Sequence, residues 1–142
     1  MSIEKLIEEG SVHPFEATHG EIERAIGIAR RDLTLAEKLL GENLDWCFSI
    51  AYNAVLQACR AYMFYLGYRP SSAEAHKATF EFTQIVIEEP FKKSISYFDQ
   101  VRKKRHRTIY DDVGLISEKE AEELLRRARE LLSYIESKLK EQ

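Results

Sequence analysis

The residues best suited to chemistry form one unbroken run, Arg102, Lys103, Lys104, Arg105, His106 and Arg107, with Tyr110 three positions on. Arginine offers planar paired donors that match a phosphate, and histidine is the side chain whose ordinary pKa lies near neutrality. Together they suit a phosphodiester. Projected at about 100° per residue, Phe91, Ile95, Phe98, Val101 and Ile109 share one apolar arc, the side that must face a core. Arg102, Arg105 and His106 fall inside that arc, Lys103, Lys104 and Arg107 fall outside it, and Tyr110 lies on its border. Inward cations need partners. One reading is that the arginines snorkel or pair with Asp99, Asp111 or Asp112, with His106 a satisfied core histidine. The other is an anion site, favoured because three residues of one polarity within about one turn repel each other until a phosphate or carboxylate offsets them. Arg102, Arg105 and His106 are then expected to line a concave, partly buried surface. Lys103, Lys104 and Arg107 form either an outer ring attracting a polyanion or plain solvated charge.

Helices must position this cluster, because Gly and Pro are scarce and the apolar spacing is helical almost throughout. A short amphipathic opening (Ile3, Leu6, Ile7) ends at Gly10. Thr18 with Glu21 reads as a capping box that starts a long helix with Ile22, Ala25, Ala29, Leu33, Ala36 and Leu40 on one stripe. From Asp45, a candidate N-cap, the run WCFSIAYNAVLQACRAYMFYLGY is apolar on nearly every side and interrupted by Asn53, Gln57 and Arg60. Such a helix is central or doubly covered, and more surface to cover than a monomer provides would favour a dimer. Ser71 with Glu74 suggests a box before a third helix. Pro90 precedes the helix of the basic cluster. Ser117 with Glu120 caps the last, whose stripe runs from Ala121 to Leu139. Short loops between long helices predict an all-α, up-and-down antiparallel bundle of about five helices in one domain, residues 1–142 with the core at about 18–140.

The chain has 142 residues, 44% hydrophobic and 32% charged, so it is long enough to bury a core without staples. Its net charge of −3 excludes a global nucleic-acid footprint and leaves only a local patch. Neither a leader segment nor a membrane span is visible, which predicts a cytoplasmic protein. Cys47 and Cys59 would lie about 18 Å apart along one helix, beyond disulfide reach, and read as reduced core residues. His13, His19, His76 and His106 show no zinc-site spacing, so neither a metal nor another cofactor is expected.

Several segments resemble the HEPN family. Ala29, Asp32, Leu33 and Ala36 resemble its A-x-x-D-L-x-x-A pattern, and Ala51-Tyr52 through Ala58 and Ala61 to Gly67 its small-and-aromatic second helix. His76-Lys77 with Phe80 resembles the start of its third helix, and Arg105-His106 to Tyr110-Asp111 its terminal motif. The likeness spans roughly residues 20–135. It implies a helical-bundle homodimer whose terminal motifs face each other and, in active members, a metal-independent endoribonuclease in which His moves protons and Arg stabilises the phosphate. Arg105 aligns with the motif arginine, His106 takes the position of an Asn that often follows it, and Tyr110 stands where the catalytic His is expected. The resemblance implies catalytic roles for Arg105, His106 and Tyr110, and RNA or nucleotide binding by Arg102, Lys103, Lys104, Arg105 and Arg107. It also implies a protein partner, a minimal nucleotidyltransferase, in a toxin–antitoxin pair. The alternative, favoured by the missing His, is a non-catalytic nucleotide-binding or regulatory subunit of such a pair.

Overall fold

In a computed structural model of the chain, residues 2–110 and 113–141 are described, the side chains of Ile109 and Tyr110 excepted. The elements are α1 (Ile3–Glu8), β1 (Val12–Pro14), α2 (His19–Leu39), α3 (Leu44–Leu66), β2 (Tyr68–Pro70), α4 (Ala75–Val86), α5 (Phe91–Tyr110) and α6 (Glu118–Leu139). The chain is therefore the expected α-helical bundle, five long helices with a short one before them.

Two of the expected capping boxes form. Thr18 Oγ1 accepts from the Glu21 N–H at 3.1 Å while Glu21 Oε1 accepts from the Thr18 N–H at 2.9 Å, and Ser117 and Glu120 repeat the arrangement at the start of α6. Each satisfies donors that the first helical turn leaves without partners. The other two starts differ from expectation. Asn43, not Asp45, caps α3 by accepting from the Trp46 N–H at 2.9 Å, which frees Asp45 Oδ2 to accept from the Gly114 N–H at 2.9 Å. The Ser71–Glu74 box does not form: α4 starts without a side-chain cap, and the Ser71 hydroxyl bonds the Ala73 carbonyl at 3.1 Å. A long-range pairing overrides the local signal there, since β1 and β2 form an antiparallel ribbon with Val12 opposite Pro70, extended by the Ser71 N–H donating to the Ser11 carbonyl. Gly67 lets the chain enter this ribbon, ending α3 at φ 98°, a conformation that favours glycine.

Helix α3 is the axis of the bundle and packs against α2, α4, α5 and α6. This corrects one expectation: its apolar girth is covered by helices of its own chain and does not by itself call for a second copy. Cross-helix pairs show that α6 runs antiparallel to α2 and α5, whereas α3 and α4 run in the same direction, Tyr52 meeting His76 and Phe80. Arg30 meets Glu136 and Glu37 meets Arg129 between α2 and α6. Between α5 and α6, Phe91 packs on Tyr134, Arg127 on Tyr97, and Lys104 pairs with Glu120. The main core joins Tyr52, Phe98, Ile95, Leu124, Leu131 and Ile135, while Leu6, Val12, Met63, Ala78 and Phe82 form a smaller cluster under α1 and the ribbon. Cys47 and Cys59 are buried free thiols, and burial raises both above the ordinary thiol range.

Candidate functional site

Ile95, Phe98 and Val101 press α5 into the core, and Thr108 extends the same buried face. Arg105 stands one turn beyond Val101 on this face, at the level where α3 presents Ser49 and Tyr52. Its Nε donates to Ser49 Oγ at 3.2 Å, and its guanidinium carbon lies 5.3 Å from the Tyr52 ring centroid. A cation held over an aromatic face gains about 0.5–1 kcal/mol, more where water is excluded. Tyr52 is fully buried, and its hydroxyl meets Nδ1 of His76, in the first turn of α4, at 2.9 Å. Three helices thus converge on one phenol: α3 supplies it, α5 covers its face with a guanidinium, and α4 closes its polar end with an imidazole.

The surroundings are strongly cationic. Arg102 is half-buried and donates through Nε to Asp99 Oδ1 at 2.9 Å. Arg60 on α3 lies over Phe64 at 5.3 Å, with Nη1 donating to Gln57 Oε1 at 3.0 Å. Among the described residues, Arg105 and Arg60 have neutral partners and no carboxylate. The titrating groups register this field. Burial pushes the Tyr52 phenol well up, with Arg105 and Arg102 pulling the other way, so it stays protonated. The His76 imidazole is pushed below its ordinary range, first by desolvation and then by Arg105, Arg102 and Arg60. His76 is exposed as a residue, and its Nδ1 is the ring atom that Tyr52 engages. His76 also lines a cleft of about 450 Å³, together with Glu21, Arg60, Phe64, Arg69 and Phe15.

Of the residues expected to face inward, Arg102 and Arg105 do, and His106 does not. His106 is exposed. It projects about 80° from Phe98 along the helical wheel, whereas Thr108, at about the same angle on the other side, is 3% exposed. The buried face of α5 is therefore rotated towards Thr108, leaving His106 outside its edge. Lys104, projected outside the arc, is half-buried and paired with Glu120, which ties it to α6 and removes it from any outer ring. Lys103 and Arg107 are exposed. The side chain of Tyr110, and Asp111 and Asp112, lie outside the described residues. Ser49, Tyr52, Arg60 and His76 were not singled out as site residues. Arg60 did interrupt an apolar run, a signal that something polar must be met there. By contrast Asp32, part of the A-x-x-D-L-x-x-A pattern, is 5% exposed and accepts from Asn53 Nδ2 at 2.6 Å, a polar link between α2 and α3.

The arrangement can hold an anion on Arg102 and Arg105, with a neutral imidazole beside it to accept a proton. The family model for the HEPN domain matches residues 22–138, which span all five long helices. The chain belongs to the HEPN family. A comparison with curated proteins gives no match. At the level of the family, a HEPN domain points to RNA binding or a nuclease-like activity, and its members often dimerise. In this HEPN protein no described helix is long and apolar enough to cross a membrane. Among the described residues, no group of three or more His, Cys, Asp or Glu side chains is placed to hold a metal ion.

Proposed function

We propose that this HEPN protein binds single-stranded RNA at the Arg102–Arg105 face and cleaves it without a metal, as the toxin of a pair whose other member is a minimal nucleotidyltransferase. The observation that carries the reading is Arg105, placed between Ser49 and the buried Tyr52 with no carboxylate partner among the described residues. A guanidinium set between two neutral partners keeps donors to offer a phosphate. It gains most where charge on the non-bridging oxygens is greatest, in the transition state of phosphoryl transfer. Exposed Lys103 and Arg107 on the same helix add to the attraction of a polyanion. A homodimer would bring two such faces together across a two-fold axis and enclose the RNA between them.

A second reading is favoured by one sequence feature, Tyr110 at the position where the family motif places its catalytic His. In that reading the protein binds a nucleotide and regulates its nucleotidyltransferase partner without cleaving. Incubating purified protein with mixed RNA in EDTA separates the two. Cleavage to cyclic-phosphate ends that Arg105→Ala abolishes supports the nuclease, whereas binding without cleavage supports the regulatory subunit.

A further inference from the structure

The residue that moves the proton need not come from the α5 motif. We propose that His76, at the start of α4, is the proton-transfer residue of the Arg105 site and that Tyr52 is the positioning residue behind it. The proposal rests on the ribonuclease reading above. Arg105 and His76 both lie within 6 Å of the Tyr52 ring, one over its face and the other at its hydroxyl end. One nucleotide unit of single-stranded RNA can therefore reach both. Nδ1 is engaged by the Tyr52 hydroxyl at 2.9 Å, which leaves Nε2 as the ring nitrogen for a ligand, and the residue is exposed. A phenol can donate or accept, so it supports the imidazole in either protonation state. A partner on one nitrogen that orients the other for chemistry is the arrangement proton transfer requires.

The charged and titratable groups around His76 agree with a neutral resting imidazole. They are Tyr52 and Arg60 from α3, Arg102, Arg105 and the Arg102-bound Asp99 from α5, Arg69 from β2, Lys77 beside it on α4, and Glu21 from α2. Arg60, Arg105 and Arg102 oppose protonation, and Glu21 is already engaged by its capping box. When a phosphate settles on Arg102 and Arg105, their positive field at His76 is offset and the imidazole becomes a better base. In the step itself, Nε2 takes the proton of the ribose 2′-hydroxyl and the 2′-oxygen bonds to phosphorus. The P–O5′ bond breaks and the leaving 5′-oxygen takes a proton from water. The imidazolium then returns its proton to solvent. The products are a 2′,3′-cyclic phosphate and a 5′-hydroxyl end, with nothing oxidised or reduced.

The experiment compares wild type, His76→Ala and Tyr52→Phe in the full-length protein, with folding checked by circular dichroism. Cleavage of a fluorescent RNA in EDTA and affinity for its non-cleavable 2′-deoxy analogue are measured together. His76→Ala should lower cleavage at least 100-fold, leave affinity for the analogue within about threefold, and regain activity when imidazole is added to the buffer. Tyr52→Phe, which keeps the ring beneath Arg105, should lower kcat about tenfold and move the acidic limb of the pH–rate profile without altering binding. The His76 ring resonance should titrate below its ordinary range in free protein and move upward on adding the analogue. Cleavage that survives His76→Ala but is lost in His106→Ala or Arg105→Ala overturns this assignment and leaves the ribonuclease reading intact. Wild type that binds the analogue without cleaving RNA overturns both. A His76 resonance unmoved by saturating analogue overturns the assignment whatever the activity.

Discussion

Replacing Arg105 with alanine removes a hydrogen bond to Ser49, a cation from the face of Tyr52 and, in the RNA complex, a phosphate contact. The two internal interactions are worth about 0.5–1.5 and 0.5–1 kcal/mol. Relief of repulsion with Arg102 acts in the opposite direction, so the fold should lose no more than about 2 kcal/mol and remain intact. The phosphate contact is a charge-assisted hydrogen bond worth about 1.5–3 kcal/mol, which is roughly a 10- to 150-fold rise in Kd. Its electrostatic origin gives a sharper signature. Each phosphate neutralised on a single strand contributes about −0.7 to the slope of log K against log salt, so the variant should have a slope shallower by about that amount. Fluorescence anisotropy with a labelled single-stranded RNA across a potassium chloride series measures both. Arg105→Lys should restore most of the slope and only part of the affinity, because a point charge lacks the paired donors of a guanidinium. A variant with wild-type slope and Kd within twofold would show that Arg105 is structural and refute the anion-site reasoning.

Three further outcomes test the fold and its electrostatics. Ser117→Ala deletes the acceptor for the Glu120 N–H at 3.1 Å and should cost about 1 kcal/mol, seen as a Tm lower by about 3 °C in a chain of this size. Phe98→Ala empties a fully buried site between α5 and the core and should cost about 3–5 kcal/mol by urea unfolding. His76 is held below its ordinary value of 6.5, so the unfolded chain binds more protons than the folded one as pH falls through that value. Stability should therefore be full above about pH 6.5, fall below it, and level off once the folded imidazole is also protonated. His76→Gln should flatten this step in Tm measured against pH.

Much of the bundle is local and was legible. The Thr18–Glu21 and Ser117–Glu120 boxes bond within four residues, and the α6 stripe from Ala121 to Ile135 needs only its own spacing to define a buried face. The Ser71–Glu74 signal failed because its segment is held by a strand some sixty residues away, and the Asp45 cap failed because Asn43, two positions earlier, offered the same chemistry first. Helical projection brought Arg102 and Arg105 inward, but it could not fix the rotation of α5 about its axis, which buries Thr108 and exposes His106 at about equal angles, roughly 80°, on either side of Phe98.

The sequence by itself determined that five long helices form, which stripes they bury, and that α5 turns Arg102 and Arg105 towards the core. Those properties follow from spacing and side-chain type over one or two turns. Only tertiary structure decided what those cations meet. Ser49, Tyr52 and His76 lie on two other helices, and nothing in their spacing relative to Arg105 links them. Packing of α3 and α4 side by side in the same direction, with α5 running against both, places a serine hydroxyl, a buried phenol and an imidazole at one level of the bundle, where distance and desolvation give each its chemical character.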